Sequence, residues 1–369
     1  MTTSTSTPLP LVGVETFAQA VSNWQKSEGR HHLPWQNTRD PYRIWLSEIM
    51  LQQTQVGTVI DYYHRFLKRF PTLADLARAS QADVLAYWAG LGYYARARNL
   101  HRCAQTVMEQ WGGKFPETPE QIATLPGIGR STAAAIAAFS FGGRAPILDG
   151  NVKRVFTRFF GVFGYTGKKA VETELWSIAQ AILDQGPRDL DMISYTQGLM
   201  DLGATRCTRT KPDCTHCPLT TSCYANLNNA QKALPSARPR KFVPQRECHM
   251  LILLHKDNVL LEKRPQTGIW GGLWCLPQFN EFDALENACV NWGVKPSAQS
   301  KMATLQHTFT HFKLQITPWW LTVKRLPLAE PNNEHCWQPL NLLADTGLPA
   351  PVQKILHGVR QSVLSNNKD

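Results

Sequence analysis

Four closely spaced cysteines constrain the fold of this chain more than any other feature. They stand at Cys207, Cys214, Cys217 and Cys223 in a C-x6-C-x2-C-x5-C run, and the other five of the nine cysteines are scattered. Four thiolates at this spacing form a cage of soft ligands that suits zinc or an iron–sulfur cluster. The spacing alone does not decide between these metals. We therefore expect a metal-tied loop over residues 207–223 and ordinary buried thiols elsewhere.

The chain also carries a strong excess of positive charge. Its 369 residues include 39 Lys and Arg against 28 Asp and Glu, a net charge of +11. This excess favours a polyanionic partner, with nucleic acid ahead of an anionic membrane. Arg209 and Lys211 lie inside the cysteine run, where a metal-tied loop would present them rigidly to phosphates.

Several classes of protein are excluded by the sequence. Residues 1–15 lack the basic and apolar regions of a signal peptide. No run of 18 apolar residues occurs, so no membrane-spanning helix and no membrane partner are expected. The odd, sparse cysteines argue against a secreted disulfide scaffold. We expect a protein of the reducing cytoplasm, associated with the nucleoid if the source is bacterial.

The pattern of apolar residues changes once along the chain. Residues 1–225 repeat apolar positions at helical spacing, and residues 226–245 are polar, basic and rich in proline, which is typical of a linker. Residues 246–360 begin with two apolar runs separated by Lys256-Asp257-Asn258, which predicts a β-hairpin. We therefore predict a helical domain, a linker, a smaller α+β domain and a tail over 361–369.

A turn rich in glycine lies inside the helical part. Thr118 is predicted to begin a helix that ends at Leu125, and a second, alanine-rich helix is predicted to stop at Gly142. Gly127 and Gly129 lie between the two helices, in an L-P-G-x-G turn. Glycines at a helix start let backbone N–H groups approach a phosphate, so this hairpin is a candidate DNA contact.

Two carboxylates are candidates for catalysis. Glu48 lies within an otherwise apolar helix, where an acidic residue needs a partner or a task. Asp149 follows an apolar pair and precedes a helical segment, so it is also interpretable as a simple helix N-cap.

These motifs together resemble the helix–hairpin–helix DNA glycosylases of the endonuclease III superfamily. The resemblance covers nearly the whole chain, and within the superfamily the chain is similar to the members that excise adenine mispaired with 8-oxoguanine. It rests on the four-cysteine run, the C-terminal hairpin with HTFTHFKL, and the segments HHLPWQ (31–36), WLSEIMLQQTQV (45–56), GLGYYARARNLH (90–101), LPGIGRSTA (125–133) and ILDGNVKRV (147–155). It implies an all-α glycosylase domain with an iron–sulfur loop.

The resemblance assigns a cofactor and catalytic roles. It implies that the four cysteines hold a [4Fe–4S] cluster rather than zinc. Glu48 would protonate the flipped base, Asp149 would stabilise the sugar cation, and Asn151 would orient Asp149.

DNA contacts and the fate of the strand follow from the same resemblance. Gln52, Gln53, Thr54 and Tyr93 would probe and wedge the helix around the lesion, with Gln53 the preferred intercalating glutamine. One of Tyr93 and its neighbour Tyr94 is equally interpretable as a core aromatic. Ser131 occupies the position where bifunctional relatives carry a Schiff-base lysine, so it predicts base removal without strand cleavage. Lys153, nearby, is the one residue that leaves some lyase chemistry open.

The C-terminal part resembles a Nudix α+β domain that has lost catalysis. After Gly272 the chain has neither the R-E nor the E-E pair that holds magnesium in such hydrolases. The resemblance implies recognition of 8-oxoguanine by Phe309, Thr310 and His311. Thr310 stands where serine is usual, and His311 is also interpretable as a strand-surface histidine. Trp270 and Trp274 are expected to pack the loop.

The expected function is excision of adenine opposite 8-oxoguanine or guanine in duplex DNA by a monomer. A bifunctional pyrimidine-lesion glycosylase is one alternative, disfavoured by Ser131 and by the extra domain. A non-catalytic iron–sulfur DNA-binding protein is another, and it gives no reason for Glu48 and Asp149.

Overall fold

The chain forms two compact units that interleave along the sequence. The computed structural model describes residues 14–239, 242–292, 294, 300–323 and 334–366. One unit combines 1–60 with 105–240, and the other combines 61–104 with 241–369. The predicted domains are continuous stretches instead, and their boundaries stay a prediction. Among the described residues, no helix is long and apolar enough to cross a membrane.

Helices dominate the chain before residue 225, as the apolar spacing predicts. The α-helices of the described residues are α1 (Val14–Glu28), α2 (Pro41–Leu51), α3 (Val56–Arg69), α4 (Leu73–Arg78), α5 (Gln81–Trp88), α6 (Ala95–Gln110), α7 (Pro119–Ile122), α8 (Arg130–Phe141), α9 (Gly150–Phe160), α10 (Lys169–Gln185), α11 (Met192–Asp201), α12 (Tyr224–Leu227), α13 (Phe282–Asn291) and α14 (Ala350–Asn366). A π-helical turn, Leu202–Arg206, follows α11 directly.

Polar caps fix where several of these helices begin and end. Thr118 caps α7 as predicted, since its side chain accepts a hydrogen bond from Gln121 N. The predicted end of that helix at Leu125 is wrong, because α7 ends at Ile122. After Ile122 the backbone hydrogen bonds span three residues instead of the four of an α-helix. Leu125 also precedes Pro126, and a helical conformation is disfavoured for the residue before a proline. Helix α8 stops as predicted at Gly142, whose φ is +71°.

The first unit packs its helices around one apolar core. Phe17 of α1 meets Phe156 and Phe159 of α9 edge to face, at centroid separations of 5.8 and 4.8 Å. Ile182 of α10 and Leu199 of α11 are buried in the same cluster. This packing sets α9, and with it Asp149 at its start, in a fixed position.

The predicted hairpin opens the sheet of the second unit. Strands β1 (Gln245–His255) and β2 (Asn258–Lys263) pair antiparallel, and β1 also runs parallel to β6 (Lys313–Thr322). The remaining strands of the described residues are β3 (Trp274–Cys275), β4 (Gln278–Phe279), β5 (Leu305–Thr308) and β7 (His335–Pro339). The result is a mixed sheet in the order β3-β2-β1-β6-β5, with β4 on β1 and β7 on β2. An α+β organisation is thus confirmed.

The predicted linker is not extended throughout. Leu234 is buried, and its carbonyl accepts a hydrogen bond from Arg158 Nε at 2.8 Å. Residues 226 and 227 belong to α12, and β1 begins at residue 245. The first half of the segment therefore packs on the first unit.

Candidate active site

Glu48 stands near the end of α2 with its carboxyl beside a cavity. Its helix neighbours Leu46 and Ile49 are buried, and Glu48 itself is half-buried. Removal from water and, to a smaller extent, the charge of Asp149 together raise the pKa of Glu48 from 4.5 to about 8. At neutral pH the carboxyl keeps its proton, which is the state that a general acid requires.

Asp149 caps α9, so the structural interpretation of this residue is also correct. Its Oδ1 accepts a hydrogen bond from Val152 N at 2.7 Å. Burial raises the pKa of Asp149, and four groups act against that rise: the backbone N–H groups of Val152 and Asn151 and the charges of Arg154 and Lys153. Because only Asp149 of the two carboxyls has partners that favour its charged form, a single proton shared by the pair resides on Glu48.

Asn151 is held in place on the first turn of α9. Arg154 Nη2 donates to Asn151 Oδ1 at 2.8 Å, and Arg154 Nε donates to the carbonyl of Cys207 at 2.7 Å. From the other side, a Cβ added to Gly203 would lie 2.6 Å from the Cβ of Asn151. The Asn151 side chain is thus fixed by contacts from two segments.

A cavity of about 300 Å³ opens beside Glu48 within the first unit. Its volume lies at the lower end of the range for small-ligand sites. Besides Glu48, its lining includes an aromatic ring and several hydrogen-bonding side chains, among them Arg30, Trp35, Gln36, Ser194 and Gln197. The sequence predicts only Glu48 among them. Trp35 and Gln36 lie in the HHLPWQ motif, and Gln197 is an amide in a largely buried helix, which is a weak signal.

The glycine turn between α7 and α8 leaves the start of α8 open. Gly127 has a φ of +78°, which an L side chain rarely adopts, whereas Gly129 has an ordinary φ of −92°. A Cβ added to Gly129 would meet nothing within 4 Å. Gly129 is therefore not required by packing, and its missing side chain leaves room at the N-terminus of α8.

Ser131 links the hairpin to the segment that precedes Asp149. Its Oγ accepts a hydrogen bond from Leu148 N at 2.9 Å, one residue before Asp149. Lys153, the other nearby candidate nucleophile, forms an ion pair with Glu172 at 2.5 Å. The structure therefore gives both side chains a partner within the protein.

The turn after α2 contains the predicted wedge residues. Gln53 is exposed and has a φ of +59°, a strained conformation for a residue with a side chain. Gln52 instead points to the protein, with Nε2 3.4 Å from Thr132 Oγ1, and Thr54 Oγ1 lies 3.4 Å from the carbonyl oxygen of Gln52. The exposure and strain of Gln53 fit the preference for it as the intercalating glutamine.

The two tyrosines of the GLGYYARARNLH segment have different environments. Tyr94 is only 8% exposed, whereas Tyr93 is 49% exposed and has a φ of +49°. Within the second unit, Tyr93 Oη lies 3.2 Å from Thr310 Oγ1. The core interpretation thus applies to Tyr94, and Tyr93 is joined to the residue predicted to contact the lesion.

Thr310 and His311 are exposed at a tight turn before β6. The turn stands on aromatic rings: Phe309 stacks on Phe312 with centroids 4.6 Å apart, and Trp270 lies 5.6 Å from Phe309. Trp270 is buried, as expected of a packing residue. These packed rings support the turn, so the side chains of Thr310 and His311 are held at the surface.

All four predicted metal ligands line one small cavity in the first unit. Arg158 Nη1 lies 3.4 Å from Cys207 Sγ, and backbone N–H groups bond to Cys217 and Cys223. Such donors stabilise metal-bound thiolates, so the donor set fits a cluster. Over the described part of the chain, no three Cys, His, Asp or Glu side chains lie close enough together to hold a single metal ion.

Arg209 and Lys211 extend the cysteine loop into solvent. Both side chains are exposed. The backbone below them is tied down, because Arg158 Nη2 donates to the carbonyl of Arg209 at 3.1 Å and Thr208 Oγ1 donates to that of Lys211 at 2.5 Å. Two cations thus project from a fixed backbone.

Two family models match the chain. The "HhH-GPD superfamily base excision DNA repair protein" model matches residues 46–181, which contain Glu48, the hairpin and Asp149. The "NUDIX domain" model matches residues 248–358, which contain Thr310. The predicted fold class, a helical helix–hairpin–helix fold with a C-terminal Nudix-like α+β domain, is confirmed.

The chain is similar to named enzymes over most of its length. The "Adenine DNA glycosylase" of Buchnera aphidicola subsp. Baizongia pistaciae is 37% identical over 350 residues, covering 94% of this chain and 97% of that protein. The mouse (Mus musculus) protein of the same name is 33% identical over 378 residues, covering 86% of this chain and 72% of that protein. A solved "thermostable thymine-DNA glycosylase" aligns with a TM-score of 0.52 and 29% identity, covering 58% of this chain and 97% of that chain.

Proposed function

The chain belongs to the family of adenine DNA glycosylases, and on that premise we propose that it excises adenine paired with 8-oxoguanine, or with guanine, and leaves the DNA strand unbroken. As a member of this family it is a hydrolase of base excision repair. The observation that carries the proposal is Glu48 on the wall of a cavity of small-ligand size, with its pKa raised to about 8 by burial and by the charge of Asp149.

In the proposed mechanism the adenine leaves the helix stack and enters the cavity beside Glu48. Glu48 donates its proton to N7, so that the bond from C1′ to N9 breaks with its electron pair going to the base. Asp149 stabilises the positive charge that develops on the sugar, and Asn151 orients Asp149. Water then adds to C1′, loses a proton to a carboxylate and gives an abasic site.

Single-turnover excision from an adenine:8-oxoguanine duplex tests this mechanism. Glu48→Gln and Asp149→Asn each remove one member of the pair, and each is expected to abolish excision while duplex binding persists. Glu117→Gln, at an exposed glutamate, is the control and is expected to excise normally. Excision at the normal rate by either carboxylate variant would contradict the assigned roles.

The proposal that the strand stays unbroken rests on the two candidate nucleophiles, Ser131 and Lys153. Ser131 has a hydroxyl and no amine, so it cannot form an imine with C1′. The Lys153 amine is engaged by Glu172. We therefore expect product strands to break only after alkali. Breaks without alkali, or trapping of the protein on DNA by borohydride, would contradict this part of the proposal.

The four cysteines are proposed to hold a [4Fe–4S] cluster. The support is their common cavity, the N–H donors to their sulfurs and the four-thiolate composition. When bound, the cluster would fix the loop that carries Arg209 and Lys211. We expect a brown protein with about four irons per chain. Stoichiometric zinc without visible absorbance would overturn this assignment.

Recognition of the duplex is proposed to be divided between several segments. Gln52, Gln53, Thr54 and Tyr93 would fill the space left by the flipped base, and Gly127 and Gly129 would admit a phosphate at the start of α8. Thr310 and His311, with Phe309, would contact 8-oxoguanine. Gln53, Tyr93, the two glycines, Thr310 and His311 are exposed, and this exposure, together with the strained backbone at Gln53 and Tyr93, supports these roles.

The organisation of the chain completes the proposal. The glycosylase domain spans residues 1–225, the linker 226–245, the recognition domain 246–360 and the tail 361–369. We propose that the protein acts as a monomer in the cytoplasm on nucleoid DNA, and that the Nudix-like domain recognises a base without hydrolysing nucleotides.

A further inference from the structure

A fully buried carboxylate lies behind the wall of the cavity. Asp201, the last residue of α11, is 0% exposed. Its Oδ2 accepts a hydrogen bond from Arg30 N at 2.8 Å, and its Oδ1 accepts from Arg30 Nε and lies 2.7 Å from Arg30 Nη2. Gln197 Nε2 donates to the same Oδ1 at 2.8 Å. A charge can be buried only when it has ionic and hydrogen-bond partners of this kind. The buried carboxylate of Asp201 therefore requires its contacts with Arg30 and Gln197.

Asp201 determines how the Gln197 amide is turned. An ionised carboxylate only accepts hydrogen bonds, so the NH₂ end of Gln197 must face Asp201. The carbonyl end, Oε1, is left for other partners, and Gln197 lines the cavity beside Glu48. Among the described residues, none donates a hydrogen bond to Oε1. The cavity wall therefore presents an acceptor at Gln197.

A fixed acceptor distinguishes purines by their substituent at C6. Adenine has an amino group there, which donates, whereas guanine and hypoxanthine have an oxygen, which accepts. An acceptor that faces a second acceptor is left without a hydrogen bond and is repelled. If the amide were free to turn over, its NH₂ end would accommodate the oxygen and the distinction would be lost.

We propose that Asp201 is a positioning residue that fixes Oε1 of Gln197 toward the base cavity and thereby makes the cavity select 6-amino over 6-oxo purines. This inference rests on the proposed excision of adenine. The chain after Asp201 is unusual as well, because α11 passes directly into the π-helical turn Leu202–Arg206. Turns of this type are rare and frequent at functional sites.

Base preference in the variant Asp201→Asn tests the proposal. The substrates are three duplexes with adenine, purine or hypoxanthine opposite 8-oxoguanine. For each base, the single-turnover rate of the variant is divided by that of the wild type. Intrinsic lability of each base cancels in that ratio. An asparagine amide can accept from or donate to Gln197, so the Gln197 amide is no longer fixed. We expect the adenine ratio to fall about tenfold, the equivalent of one lost hydrogen bond, and the purine and hypoxanthine ratios to stay near one or rise.

The control is Asp184→Asn on α10, which alters the same kind of Gln–Asp pair, Gln180 Nε2 to Asp184 Oδ1 at 2.9 Å, at an exposed position and leaves Asp201 unchanged. Its ratios should be equal for the three bases. Equal slowing of all three bases by Asp201→Asn would show that Asp201 is merely structural and would overturn the proposal. If Asp201→Asn does not fold, Gln197→Met keeps the Arg30–Asp201 pair, and unchanged base preference in that variant would equally overturn it. Failure of the wild-type protein to excise adenine would contradict the proposed function instead.

Discussion

At the residue scale, the proton on Glu48 has a consequence for stability. The pKa of Glu48 is about 8 in the folded protein against 4.5 for an ordinary glutamate. The folded state therefore binds more protons than the unfolded state between these values, and the free energy of unfolding falls as pH rises. Glu48→Gln does not titrate. Its free energy of unfolding, relative to that of the wild type, should thus increase by up to about 3 kcal/mol from pH 5 to pH 8.

Urea unfolding of both proteins at the two pH values measures this difference. The exposed Glu117→Gln provides the control, and its difference from the wild type should not change with pH. A constant difference for Glu48→Gln would mean that the carboxyl is ionised throughout the range and could not serve as the acid.

Residue type and spacing predict the candidate catalytic carboxylates but not the cavity beside Glu48. Glu48 is visible in the sequence because an acid in an apolar helix is unusual. The orientation of Gln197 is not visible, because it depends on Asp201, which in turn is paired with Arg30 across 171 residues. Similarly, the sequence leaves Tyr93 and Tyr94 equivalent, and only the fold buries one of them.

At the scale of elements, substitutions at two glycines of the hairpin should affect stability and DNA binding separately. Gly127 has a φ of +78°, so Gly127→Ala should lower the free energy of unfolding by about 1–2 kcal/mol. Gly129 has an ordinary φ and open space around it, so Gly129→Ala should leave stability unchanged. It should nevertheless weaken duplex binding by about tenfold, because the added methyl stands where a phosphate would approach the start of α8.

Thermal unfolding and binding to a duplex with a non-cleavable adenine analogue at fixed salt distinguish these outcomes. Normal binding by Gly129→Ala would show that the phosphate does not approach this turn. Loss of stability in both variants would show that the glycines serve packing alone.

Elements with local signals are predictable, and those set by distant contacts are not. The caps at Thr118 and Gly142 and the β1–β2 hairpin follow from residues close in sequence. The parallel pairing of β1 with β6 joins residues 68 positions apart, from Gln245↔Lys313 to Leu254↔Thr322. The π-helical turn Leu202–Arg206 has no sequence pattern that predicts it, and Asp201 before it is paired with a residue 171 positions away.

At the scale of the whole molecule, the net charge of +11 predicts a steep salt dependence of DNA binding. Arg209 and Lys211 are exposed on the tied-down cysteine loop. If both contact phosphates, the double variant Arg209→Ala, Lys211→Ala should reduce the slope of log K against log salt by about 1.8. Arg78→Ala is the control, because Arg78 is also exposed but is paired with Asp75. An unchanged slope in the double variant would remove this loop from the DNA interface.

Recognition of the lesion and excision of the base are also separable in the whole molecule. Glu48 and Asp149 belong to the first unit, and Thr310, at 3.2 Å from Tyr93, belongs to the second. Thr310→Ala removes a hydroxyl from the surface proposed to contact 8-oxoguanine and leaves both carboxyls unchanged. We expect the rate on adenine:8-oxoguanine to fall about tenfold, the effect of one lost polar contact, and the rate on adenine:guanine to stay constant. Thr308→Ala, at an exposed threonine of the adjoining strand, should change neither rate. An equal fall on both duplexes would mean that Thr310 supports the fold around Tyr93 and does not sense the oxidised base.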